Sequence, residues 1–296
     1  MLPLEAVPNF SEGRDRVTIE AIGEALSAHA RLLDVHSDED HNRSVYTLVG
    51  SEEELVAALL AGIGCARERI DLTRHEGAHP CIGAADVVPI VPIREADAGR
   101  ARTAALELGR WVGKDLALPV FLYADLAPGR GPAFFRRGGP TELQRRLDAG
   151  ELAPDFGPVR LDERAGGVIV GARPPLIAFN VDLEGDDLDA AREIARAVRE
   201  RDGGFLGVRA LGLRLSRAGH VQVSLNIEDW RVSPLHEVVA AVQREATTRG
   251  IRVTGSELVG LLPAGAAAAA AGSVLGVTDL DPLRVLELRL LPDEEP

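Results

Sequence analysis

The segment Arg74-His-Glu-Gly-Ala-His-Pro-Cys-Ile-Gly-Ala-Ala-Asp86 places His75, Glu76 and His79 in the pattern His-Glu-x-x-His. On a continuous helix that spacing stacks two imidazoles one turn apart, where they hold zinc while the glutamate serves as base. The neighbouring residues argue against such a helix. Gly77 lies between the histidines, and Pro80 follows His79 directly, so its ring disfavours the right-handed helical region at His79. Further ligands would have to come from His36, Asp38, Asp40 or His41 in HSDEDH, which reads more simply as a solvated polar loop. No metal is expected.

His79 then has another use. An imidazole in an extended, glycine-containing loop followed by small residues is approachable, and it titrates near neutral pH, so it can take a proton and return it. The local sequence equally allows a histidine that only fills space between elements.

The elements that position this loop follow from periodicity. LEAVPNF reads as a strand, and DRVTIEAIGEALSAHA as a helix with Val17, Ile19, Ile22, Leu26 and His29 at roughly helical spacing. RLLDVHS and SVYTLVG read as neighbouring strands, and Ser51 with Glu54 forms a capping box ahead of a long helix. DVVPIVPI reads as a strand whose prolines suit an edge, followed by a helix and the buried strand PVFLYAD. Residues 127–167, rich in Gly, Pro and Arg, read as a connection with one helix, PTELQRRLDAG. Beyond it the order strand, helix, strand, strand, helix, strand recurs, from LIAFNVDL to IRVTGSEL. The expected class is α+β: two tandem split βαβ, or ferredoxin-like, subdomains with helices on one sheet face and a substrate cleft or tunnel between the halves.

Composition sets the outer limits. With 296 residues, 46% hydrophobic and 27% charged, the chain can bury two cores of ordinary size. Its net charge of -13 repels phosphate backbones and anionic membranes, so nucleic acid and membrane partners are not expected and an anionic ligand needs a local arginine cluster. Two cysteines and no apolar leader behind a basic segment suggest a cytoplasmic protein without disulfides. The small apolar run from Ala264 to Ala271 is too short to span a bilayer and reads as a helix.

At the His79 segment the chain resembles the glutamate formiminotransferases, whose motif His-x-Gly-x-His-Pro followed by Gly-Ala-x-Asp is met by His75, Gly77, His79, Pro80, Gly83, Ala84 and Asp86. VPNFSEGR, HNRSVYTLVG, APDFGP, GARPPLIAFN, VSLNIEDW and GSELVGLLP look like further family words in family order. The resemblance implies N- and C-terminal formiminotransferase subdomains, here 1–175 and 176–296, flanking a folate tunnel. It also implies transfer of a formimino group from N-formiminoglutamate to N5 of tetrahydrofolate, a folate-dependent one-carbon step in histidine breakdown, with tetrahydrofolate as cosubstrate.

The family's second motif histidine is its general acid/base, which falls on His79. Asn42 and Arg43 resemble family pocket residues, and Arg43, Arg74 and Arg173 can supply carboxylate contacts. The family's folate loop falls on Gly157, Pro158, Val159, Arg160, Leu161, Asp162, Glu163, Arg164, Ala165 and Gly166. His36 stands where vertebrate members carry an aspartate in the site, and Cys81 stands where the family usually has arginine. Alternatives are formyl transfer between N-formylglutamate and tetrahydrofolate on the same site, or a folate-binding protein with little turnover. Exposed sheet edges and the family's habits leave a homodimer open.

Overall fold

The computed structural model describes residues 2–289; Met1 and 290–296, at the outer ends of the two expected subdomains, lie outside the described residues. The chain divides into two compact units, one from Leu2 to Pro174 and one from Pro175 onward.

The first unit opens with β1 (Leu4–Ala6) and β2 (Asn9–Phe10), two pieces of one strand interrupted at Val7 and Pro8. Then come α1 (Arg16–Ser27), β3 (Arg31–Asp38), β4 (Arg43–Gly50), α2 (Glu52–Arg69) and β5 (Ala85–Pro92). β4 pairs with β3 on one side and with β1 and β2 on the other, and β5 pairs with β1 and β2 in turn, all antiparallel. α3 (Ala98–Asp115), β6 (Val120–Ala124), α4 (Pro132–Arg136), α5 (Gly139–Asp148) and β7 (Val168–Ala172) complete the unit. β7 slots between β5 and β6, parallel to both.

Local chemistry explains the helix starts. The Asp15 carboxylate accepts from the Val17 N–H at 3.1 Å and opens α1. Ser51 and Glu54 form the expected reciprocal box at α2, with contacts of 3.3 and 2.8 Å. Along α1 the inward stripe is Ile19, Ile22 and Leu26, while Val17 is 66% exposed. Two residues before Ile19 lie about 200° away on a helix, so Val17 does not belong to that stripe.

Three expectations need correction. The strand with prolines is central, not an edge: all of β5 is buried between β1/β2 and β7. Pro89 is tolerated because it faces the interruption between β1 and β2, where the Val7 N–H donates to its carbonyl at 3.2 Å and no donor from Pro89 is needed. The connection 127–167 holds two helices, α4 and α5, and VIVGA after it is a strand inside the sheet. Central parallel strands are short continuous apolar runs without alternation, which gives them no period to read. Finally, helices cover both faces of this sheet. Leu4, Phe10, Tyr46 and Val88 pack with residues of α1, α2 and α3, whereas Val87, Phe121 and Ile169 pack with Phe135, Leu143 and Leu147 of α4 and α5.

The second unit contains β8 (Ile177–Leu183), α6 (Leu188–Val198), β9 (Val208–Leu215), β10 (His220–Ile227), α7 (Leu235–Thr248), β11 (Val253–Val259), α8 (Ala264–Leu275) and α9 (Leu286–Arg289). Its strands run β11-β8-β10-β9, all antiparallel. Alternation fixes the faces: Ile177, Val181, Leu183, Val221, Val223 and Leu225 join Ile194, Val198, Val238 and Val242 of the helices in one core, and Asn180, Asp182, Gln222 and Ser224 take the other face.

Candidate active site

Four segments of the first unit converge around His79: the β2–α1 turn, the β3–β4 hairpin, the loop 75–84 and α4. Asn42, at the end of the hairpin and held at φ 48°, is the knot. Its Oδ1 accepts from the Gly13 N–H at 3.0 Å, and its Nδ2 donates to the Glu76 carbonyl at 3.1 Å and faces His75 Nδ1 at 3.3 Å. The Ala78 N–H donates to the Asp40 carbonyl at 2.9 Å. Gly77 permits this approach, because a Cβ there would collide with the His41 carbonyl oxygen. On the other side the Ser11 hydroxyl donates to the Gly83 carbonyl at 2.7 Å.

His75 and His79 consequently point to different neighbours. His75 belongs to Asn42. His79 is half-buried, lies 6.2 Å from His41 ring to ring, and has a buried Nδ1 without a hydrogen-bond partner among the described residues. Burial first, then the guanidiniums of Arg43 and Arg136 and the His41 ring, push its pKa well below the ordinary histidine value. Among the described residues no three His, Cys, Asp or Glu side chains are grouped to hold a metal.

Arg43 opens β4 opposite Asp38, and His36, two residues earlier and opposite Val45, projects from the same face of that ladder. The Arg43 guanidinium makes no hydrogen bond or close ion pair among the described residues. Burial and the Arg136 charge bring its pKa down to about 10, against the pull of Asp86 and Asp38, so it stays cationic at neutral pH. Asp86, 1% exposed, receives the Arg136 guanidinium on Oδ2 through Nε at 2.9 Å and through a second, shorter contact, while its Oδ1 accepts from the Ile82 N–H at 2.7 Å. Cys81 is half-buried among Asp86, Ser11 and Arg136, and burial raises its thiol pKa.

The expected folate loop falls into two parts. Gly157, Pro158, Val159 and Arg160 are exposed. Leu161, Asp162, Glu163, Arg164, Ala165 and Gly166 form a turn tied to the His79 segment: Asp162 and Gly166 exchange backbone hydrogen bonds of 3.0 and 2.8 Å, the Arg164 carbonyl accepts from Leu72, and the Ala165 carbonyl accepts from Ala84 at 2.9 Å. Gly166 has φ 69° and a Cβ on it would collide with the Ile82 carbonyl oxygen, so glycine is required there. Arg173 stands elsewhere, beside Glu5, whose partner on β4 is Val49, about 20 Å along the strand from Arg43. Arg74 is exposed at the end of a short 3₁₀ turn.

Arg136 and its pairing with Asp86 carry no signal in the sequence. The two residues are 50 positions apart, and nothing local marks the arginine of PAFFRR as different from its neighbours.

The sequence model described as "Formiminotransferase domain, N-terminal subdomain" matches residues 3–173, and "Formiminotransferase domain" matches residues 178–276. The glutamate formimidoyltransferase of Thermoplasma acidophilum is 37% identical over 294 residues, covering 97% of each chain. The protein of the same name from Streptococcus pyogenes is 36% identical, covering 97% of this chain and 98% of that one. The formimidoyltransferase-cyclodeaminase of Sus scrofa is 38% identical over 88% of this chain but only 50% of its own length. The two subdomain matches fall in order on the two compact units, and the His79 cluster lies wholly within the first of them. This chain belongs to the formiminotransferase family.

Proposed function

We propose that this chain transfers the formimino group of N-formiminoglutamate to N5 of tetrahydrofolate, with His79 as general acid/base. The observation that carries the reading is 37% identity to a glutamate formimidoyltransferase across 97% of both chains. N5 attacks the amidine carbon and loses its proton to the imidazole; the bond from that carbon to the glutamate nitrogen then breaks, and the imidazole returns the proton to the departing nitrogen. The first half of the cycle needs a neutral imidazole, and the depressed pKa of His79 supports it. The donor carboxylates need cations in a chain of net charge -13, and the unpaired guanidinium of Arg43 is the group suited to one of them.

The turn ending at Gly166 supports the folate loop's assignment, since its carbonyls anchor the strand leading out of the His79 segment. Both units are read as ferredoxin-like. Their strand orders, β3-β4-β1/β2-β5 and β9-β10-β8-β11, are the same when counted within each unit. The activity is assigned to the cytoplasm. Among the described residues no helix is long and apolar enough to cross a membrane.

The test is formimino transfer from N-formiminoglutamate, run beside N-formylglutamate and beside His79→Ala with folate binding measured for both proteins. The variant should lose about 10²- to 10⁴-fold in kcat while keeping folate affinity. Wild-type turnover of N-formylglutamate alone would move the assignment to formyl transfer, and folate binding without turnover of either donor would end the enzyme reading.

A further inference from the structure

The Arg43 guanidinium is cationic, half-buried and without a close anionic partner, although Asp38 and the almost wholly buried Asp86 both lie within electrostatic range. A buried carboxylate within electrostatic range of an unpaired guanidinium is a competitor for it, because pairing offsets part of the desolvation of both. Instead Arg136 occupies Asp86 Oδ2 with two N–H groups while the Ile82 N–H occupies Oδ1. α4, which carries Arg136, is fixed from beneath. Phe135 is fully buried against Phe121 with ring centroids 5.2 Å apart, and Arg146 donates to the Phe134 carbonyl at 2.9 Å.

We propose that Arg136 is a positioning residue that engages and neutralises Asp86 and thereby keeps the Arg43 guanidinium open for a carboxylate of the donor. The inference rests on the reading of Arg43 as the donor's cationic partner. It makes α4 a determinant of donor affinity through Asp86 and Arg43. It also explains why one element of the cluster comes from a helix in the connecting region: the counter-charge to Asp86 has to be supplied from outside the three segments knotted by Asn42.

The experiment is a cycle of Arg136→Gln, Asp86→Asn, the double variant and Arg136→Lys, each checked by thermal melting and assayed for both substrates. Arg136→Gln frees Asp86 to take Arg43, so the donor KM should rise about 10- to 100-fold while the tetrahydrofolate KM changes little. In Asp86→Asn the side-chain carbonyl still accepts from Ile82 but carries no charge, so the double variant should recover a donor KM within about fivefold of wild type, and Arg136→Lys should fall between. A merely structural arginine predicts the opposite order, with the double variant no better than the single one, and that result or an unchanged donor KM in Arg136→Gln would overturn the proposal. If Arg136→Gln does not fold, the double variant decides alone: a donor KM near wild type supports the proposal and a large rise overturns it. If the wild type turns over neither donor, the assigned reaction fails, and calorimetric binding of N-formiminoglutamate to the wild type and the same four variants tests the Arg136 proposal by the same order of affinities. Absence of donor binding to the wild type would overturn both.

Discussion

A histidine surrounded by cations is a poor place for a proton, and this is the physical content of the His79 site. Burial, Arg43, Arg136 and His41 all disfavour the imidazolium, so the neutral base persists at pH values where a free histidine is largely protonated. The acid limb of kcat/KM should therefore lie below the ordinary histidine value of about 6.5, and a limb at or above it would show that His79 is not the titrating base. The same shift has a sign for stability. Between the depressed folded pKa and the unfolded value the unfolded chain binds more protons, so the His79 contribution weakens the fold as pH drops through and below about 6.5. At this scale the sequence was partly legible: the proline after His79 predicted that the His-Glu-x-x-His segment is not a helix, which is how it folds, and family words singled out Asn42 and Arg43 as candidates. Arg136 was not, because an ion pair across 50 positions leaves no local pattern.

Among the elements, capping and period carried well and sheet position did not. Ser51 and Glu54 marked the start of α2 because both halves of a capping box lie within four residues. The central place of β5 and the existence of β7 depend on which strands lie beside them, and a buried parallel run such as VIVGA has no alternation to betray its faces. The turn that closes at Gly166 is the element most exposed to a single change. Gly166→Ala adds a Cβ against the Ile82 carbonyl at a backbone angle that side chains rarely adopt, so the Ala165–Ala84 stitch should fail. The expected outcome is a loss of about 1–3 kcal/mol in thermal unfolding together with a raised tetrahydrofolate KM. An alanine variant with wild-type stability would contradict the strain argument.

For the whole molecule, the repeated order of strands and helices was readable because each unit separates its helices and strands cleanly, while the apolar residues of α4 and α5 within a Gly- and Arg-rich stretch concealed a third layer over the first sheet. The net charge of -13 is general and the guanidiniums of Arg43 and Arg136 are local, so on the proposed reading it is the His79 cluster that overrides the average field for an anionic donor. Dialysis against a strong chelator should leave kcat/KM unchanged, since the His-Glu-x-x-His segment is not helical and among the described residues no three His, Cys, Asp or Glu side chains are grouped to hold a metal; activity lost to chelation and restored by zinc would refute that expectation. One further feature becomes useful at this scale. The chain has two thiols, and Cys81 lies on the loop that carries His79. Its raised pKa keeps the thiolate scarce at neutral pH, so alkylation there should be slow and quicken with alkalinity. A ligand seated at Arg43 should slow it again, which makes the labelling rate of Cys81, read by peptide mass, a gauge of site occupancy that needs no turnover.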